Sequence, residues 1–193
     1  MNEHAPTPRR PASYRDVLDA PAGMVAEIAN GRLHLHPRPA MRHAYAGSAL
    51  GSKLGNPFHH DQDGPGGWWI IFEPELHLGP ETSPDVLVPD LAGWRRARMP
   101  QFPDAPWCEL APDWACEVLS PGTRRLDLTD KRALYGAHGV GHLWLVDPAA
   151  RTLEAFALQG GAWVLLAALK DDDEVRVPPF AAAAFPLSAL WPD

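Results

Sequence analysis

The chain has 193 residues, 46% of them hydrophobic and 21% charged, a balance ordinary for a globular protein and sufficient for one substantial core. The formal net charge of -7 argues against broad non-specific attraction to nucleic acid, and the two cysteines, Cys108 and Cys116, argue against a disulfide framework or a thiolate zinc site. No apolar run reaches membrane-spanning length and "MNEHAPTPRRPASY" has no hydrophobic signal core, so a cytoplasmic protein with no membrane partner is expected.

In chain order, residues 1–12 are polar and proline-rich and read as a loose arm, which leaves 13–193 as a single domain. "SYRDVLDAP" suggests a short helix capped by Ser13. "MVAEIANGRLHLHP" is a hairpin, two alternating runs around the favoured Asn30-Gly31 turn. "MRHAYAGSALGSKLGNPF" reads as a helix with Ala44, Leu50 and Leu54 toward the core, although its glycines weaken it. "GGWWIIFEPELHLG" and "SPDVLVPDLAGW" read as paired strands, the second with Pro89 at a bend or an edge. A tryptophan- and proline-rich excursion over 94–112 follows. Then come a strand at 113–119, a helix at 127–139 and a strand at 142–147. "RTLEAFAL" and "AWVLLAAL" add two strands joined at Gly160-Gly161, "DDDE" at 171–174 is a charged turn, and "FAAAAFPLSALWPD" packs as a short helix. This order predicts an α/β (α+β) fold: a mixed central sheet flanked by helices, with an N-terminal hairpin and extra C-terminal strands.

Carboxylates inside apolar strands are the informative feature, because burying an unpaired charge is expensive. Asp90 follows "DVLVP", Glu117 sits in "WACEVL", and Glu73 and Glu75 lie in "WIIFEPELHL". Alternation puts Glu117 on one face with Ala115 and Leu119, opposite Trp114, Cys116 and Val118. Carboxylates converging from neighbouring strands suit Mg²⁺, which takes one or two carboxylates together with water and substrate phosphate; the alternative is that each pairs with a nearby arginine. Asp127, with Asp130 three residues on, has the spacing of a capping box and places Lys131 in or just past the first helical turn, over those carboxylates. Two carboxylates, a metal and a lysine suit phosphodiester hydrolysis.

"VPDLAGWRR" followed by "PDWACEVLSPGTRRLDLTDKRALYGAHGVGHLWLVDP" resembles the Uma-type restriction-endonuclease family of the PD-(D/E)XK nuclease superfamily. "AEIANGRLHLHPRPAMRH" is similar to that family's N-terminal hairpin and the helix after it. The resemblance spans roughly 15–160. It implies a restriction-endonuclease-like core, a divalent metal (Mg²⁺ or Mn²⁺) and DNA as substrate; a homodimer is the expected assembly. It puts the motif's aspartate on Asp90, with Asp85 as fallback, and its glutamate on Glu117. The signature lysine position, two after the glutamate, is Leu119; the family's displaced lysine falls on Lys131, which would act on the attacking water or the scissile phosphate. Glu75 or Glu73 would complete the metal shell, while Glu27 and His43 match further family positions as supporting residues. A catalytically silent member, binding nucleic acid or protein, is the alternative.

His34 and His36 share one hairpin face and read as solvated, His59, His60 and Asp61 lie in a loop, and Tyr135 reads as core. The basic clusters Arg95/Arg96/Arg98 and Arg124/Arg125/Lys131/Arg132 read first, from charge alone, as solvated surface. No serine-hydrolase pattern is present.

Overall fold

The computed structural model describes residues 10–192, so most of the arm expected at 1–12 falls outside the described range. The hairpin forms as its sequence dictates: β1 (Met24–Ala29) and β2 (Arg32–Pro37) pair around Asn30 and Gly31, both at positive φ. A short helix, α1 (Tyr14–Leu18), precedes it, with Ser13 and Asp16 forming a capping box. Helix α2 (Met41–Leu54) follows and ends in a π-type turn over Gly55–His59. Its buried stripe is Ala46, Leu50 and Leu54, whereas Ala44 faces solvent.

The two long strands expected next each break in two. β3 (Trp68–Phe72) is separated from β4 (Leu76–Leu78) at Glu73-Pro74, and β5 (Asp85–Leu87) from β6 (Leu91–Arg95) at Val88-Pro89-Asp90. Proline cannot donate to a ladder, and Glu73 turns the chain at φ 44°. Each half then joins a different sheet: β3 pairs with β6, and β4 with β5. Asp90 therefore sits at the point where the chain crosses between sheets.

The central sheet has the order β10-β9-β8-β7-β6-β3, with β7 (Trp114–Val118), β8 (His142–Asp147), β9 (Thr152–Gln159) and β10 (Ala162–Lys170). Only β7 and β8 run parallel, so the link between them is a helical crossover, as parallel neighbours require. The smaller sheet has the order β2-β1-β5-β4. Every residue of β7 is buried, as expected of a strand covered on both faces. Trp114, Cys116 and Val118 pack toward α2, while Ala115 and Leu119 pack toward the crossover helix and the smaller sheet. The mixed central sheet with flanking helices, N-terminal hairpin and added C-terminal strands is the expected fold class.

The crossover helix starts at Arg124, three residues before the expected cap. It runs as α3 (Arg124–Leu126), a π-type turn (Asp127–Lys131) and α4 (Arg132–Ala137). The Arg124 N–H already bonds the Ser120 carbonyl at 2.8 Å, so Asp127 is interior and buried rather than a cap. Lys131 lies about two turns in.

The tail is not a plain helix. Phe185–Pro186 (β12) pairs with Glu174–Val175 (β11), and a 3₁₀ turn follows over Leu187–Leu190. It delivers Phe180, 1% exposed, into a ring cluster with Phe58, Trp68, Trp114 and Trp144 at centroid distances from 4.7 to 5.7 Å. Among the described residues no helix is long and apolar enough to cross a membrane.

Candidate active site

Four elements meet over the C-terminal half of β7. Glu117 points from β7 toward the crossover helix, away from α2, and Asp90 comes from the crossing segment just before β6. Glu27 comes from β1. Asp127, Lys131 and Tyr135 descend from the crossover helix, and His43 from the first turn of α2. His43, Asp90, Glu117, Asp127, Lys131 and His36 all line one cleft of about 50 Å³.

Lys131 is the hub. Its Nζ lies 2.9 Å from Glu27 Oε1 and 2.9 Å from Glu117 Oε1, donates to the Val88 carbonyl at 3.1 Å, and stands 3.7 Å from Asp127. Glu117 Oε1 also accepts from the Tyr135 hydroxyl at 2.5 Å. Glu27 accepts the Val88 N–H at 2.7 Å and contacts His36 Nε2 at 2.8 Å. Asp90 Oδ2 accepts the Val118 N–H at 2.7 Å, and its Oδ1 is 3.3 Å from His43 Nε2. The two motif carboxylates are thus tied to adjacent residues of one strand.

The charge balance follows from burial. Desolvation, with Asp127, Asp90 and Glu27 nearby, pushes Glu117 well above the usual carboxylate range despite Lys131. Desolvation acts on Glu27 as well, but Lys131, His36 and the Val88 N–H overcome it and hold Glu27 down to about 2. Burial raises Asp127 against the pull of Lys131. Against its own desolvation, Lys131 is raised by Glu117 and Glu27 and stays an ammonium. His43 is likewise raised by Asp90 in spite of burial. The cluster sets three carboxyl groups, Glu27, Glu117 and Asp127, within 3.7 Å of one lysine, with Glu27 the one held firmly ionised.

The model of a family described as "Putative restriction endonuclease", Uma2, matches residues 12–189. The chain belongs to the Uma2 family. Among solved structures, the Uma2 chain is similar to a "putative nuclease belonging to DUF820 from Anabaena variabilis ATCC 29413", at 22% identity and a TM-score of 0.74, covering 93% of this chain and 97% of that one. At that identity the likeness establishes the fold. No curated protein matches the chain.

Of the residues expected from sequence, Asp90, Glu117, Lys131, Glu27 and His43 come together in this Uma2 chain. Glu75 does not. With the strand broken at Pro74, Glu75 lies beside β4, where it contacts His77 Nε2 at 2.8 Å. Glu73, on the other side of the break, is the one of that pair that lines the cleft. Asp85, the fallback for Asp90, accepts the Asn30 N–H and lies 3.2 Å from His138. His36 departs from the solvated hairpin face expected for it, because its ring turns in to Glu27. Tyr135 is core, as read, but its hydroxyl is also a ligand of Glu117; a tyrosine four residues after the lysine, on the same helix face, was the available signal. His59 is held by the Ile70 backbone. The arginines of the 95/96/98 cluster are engaged locally, on Trp68, on Trp69 and with Asp113.

Among the described residues no group of three or more His, Cys, Asp or Glu side chains is arranged to hold a metal ion. The donor set does fit an open two-carboxylate site of the Mg²⁺ kind. Glu117 Oε2 has no protein donor among the described residues, and Asp90 Oδ1 has only the 3.3 Å contact to His43. Such a site is completed by water and phosphate oxygens rather than by a protein cage.

Proposed function

We propose that this chain is a divalent-cation-dependent endonuclease that hydrolyses DNA phosphodiester bonds, with Asp90 and Glu117 holding Mg²⁺ or Mn²⁺. The observation that carries this reading is that those two carboxylates, one from β7 and one from the segment leading into β6, line one cleft beside a buried lysine. When bound, the cation polarises the phosphate and lowers the pKa of a water. The chain's own groups supply the rest. A cleft of about 50 Å³ has room for a few waters or a phosphate edge but not for a base, so the backbone enters and the base stays outside. His43, on the cleft wall and aligned by Asp90, is placed to pass a proton to the leaving oxygen.

The rim supports a nucleic-acid partner despite the overall charge. Arg38 stands between the cleft-lining Pro37 and Pro39, Arg42 precedes His43, and Arg125 lies in the first turn of the crossover helix; all three are exposed. Phosphate contacts of this kind fix register without reading sequence. An enzyme of this class works where DNA lies, in keeping with the cytoplasmic location expected from the sequence. The homodimer assignment is supported by the edge strand β10, whose Val164, Leu165 and Leu166 are exposed.

A silent binding module remains the second reading, favoured by the absence of a three-ligand group among the described residues. Incubating purified protein with supercoiled plasmid and Mg²⁺ or Mn²⁺ separates the two. Cleavage that disappears with chelator and in Asp90→Asn supports the nuclease. No cleavage, together with retained DNA binding, supports the module.

A further inference from the structure

The lysine of this cluster is enclosed by acceptors of its own chain. An ammonium carries three N–H groups, and Lys131 Nζ has three acceptors within 3.1 Å: Glu27, Glu117 and the Val88 carbonyl. Its side chain is 3% exposed. The residue whose carbonyl accepts from Lys131 also donates, through the Val88 N–H, to Glu27 at 2.7 Å. Both ends of Val88 are therefore clamped by the Glu27–Lys131 pair. Val88 lies two residues before Asp90, and Lys131 simultaneously grips Glu117. Glu27 belongs to the smaller sheet and Glu117 to the central one, so the pair spans the two sheets at the point where Asp90 is delivered.

We propose that Glu27 and Lys131 are positioning residues that act through Val88 to fix Asp90 against Glu117, and that Lys131 touches neither the water nor the phosphate. This deepens the nuclease reading, since it concerns the same carboxylate pair, but it rests on contacts that exist without metal or DNA. Reach is the critical property. A glutamate bridges Lys131, Val88 and His36 at once; an aspartate, one methylene shorter, keeps the charge and loses the span. A glutamine keeps the span and loses the charge.

Amide hydrogen exchange in the metal-free full chain tests this. The Val118 N–H, held by Asp90 Oδ2, reports whether Asp90 is in place. Glu27→Asp is expected to speed its exchange about tenfold or more, with Glu27→Gln staying near the wild type. Unchanged protection in Glu27→Asp overturns the proposal. So does a glutamine variant as labile as the aspartate one, because charge rather than reach would then hold the site.

Should Glu27→Asp fail to fold, the wild type itself decides. The chain has three lysines, Lys53, Lys131 and Lys170, and the other two are exposed. The Lys131 ammonium is expected to give the one slowly exchanging lysine Nζ–H signal, unmoved when a short DNA duplex is added. A fast-exchanging Lys131, or a shift of its signal on adding DNA, overturns the proposal. Calorimetric titration of the same samples with Mn²⁺ keeps the two readings apart. Wild type that binds no Mn²⁺ sinks the nuclease reading and leaves the exchange result standing. If Mn²⁺ binds, Glu27→Asp is expected to weaken it by about 10- to 100-fold, as for other groups that orient metal ligands.

Discussion

At the scale of single residues, the site is a buried charge cluster whose members are stable only together. Neutralising one carboxylate is offset where a neighbour can ionise in its place, as Glu117 and Asp127 can beside Lys131, whereas removing Lys131 leaves uncompensated charge at a cost of roughly 3–5 kcal/mol. Tyr135→Phe removes only a hydroxyl, but it strips Glu117 Oε1 of one of its two donors. We expect it to cost about 1–3 kcal/mol in urea unfolding. Glu27 gives a pH signature. Its folded value of about 2 lies below the ordinary 4.5, so its charge stabilises the fold above about pH 4.5, and that contribution disappears as the pH falls through 2. Glu117 is shifted upward and acts with the opposite sign, so the comparison must isolate Glu27. Between about pH 6 and about pH 3 the wild type should lose more unfolding free energy than Glu27→Gln. Equal losses in the two proteins would show that Glu27 is not held ionised.

At the scale of elements, the strand alternation of "WACEV" was readable because β7 is a central strand with two covered faces. It placed Glu117 with Ala115 and Leu119, as the packing does. The break points were harder to read. Pro74 and Pro89 are visible in the sequence, but a proline at an edge and a proline that hands the chain to a second sheet look alike until the partners are known. That ambiguity is why Glu73 and Glu75 read as equal candidates for the metal shell although the break separates them. The start of the crossover helix was misread for a related reason: Asp127 and Asp130 have the spacing of a capping box, yet the carboxylate of Asp127 is drawn inward toward Lys131. The contact of His36 with Glu27 is not legible in the hairpin, whose register faces Glu27 with His34 and says nothing about a third element closing over it. The packing of β6 makes its own prediction. A Cβ on Gly93 would meet Trp114 at 3.1 Å and Ile70 at 3.2 Å, with Asp90 on the same stretch. Gly93→Ala should lower stability by about 1–3 kcal/mol through overpacking, measured by thermal unfolding.

At the scale of the whole molecule, the active cleft and the main core lie on opposite faces of one sheet. The α2 side holds the tryptophan cluster closed by Phe180, and the crossover-helix side holds the charges. Phe180→Ala should therefore cost about 3–5 kcal/mol of stability while leaving the arrangement of Asp90 and Glu117 intact in whatever fraction stays folded. With an overall charge of -7, the proposed DNA substrate would be met by a local rim rather than by the general field. Arg38→Ala and Arg42→Ala should weaken binding about equally across sequences, and each should reduce the salt dependence by roughly one phosphate contact. An unchanged salt slope in both would move the DNA path elsewhere on the surface.

The central claim is that Asp90 and Glu117 form one cation site that cuts DNA. Plasmid cleavage in Mn²⁺ by wild type, Asp90→Asn and Glu117→Gln, each verified as folded, tests it most directly. The account predicts cleavage by the wild type that chelator abolishes, and a loss of at least about a hundredfold in either variant. Cleavage of equal rate in all three proteins would contradict it.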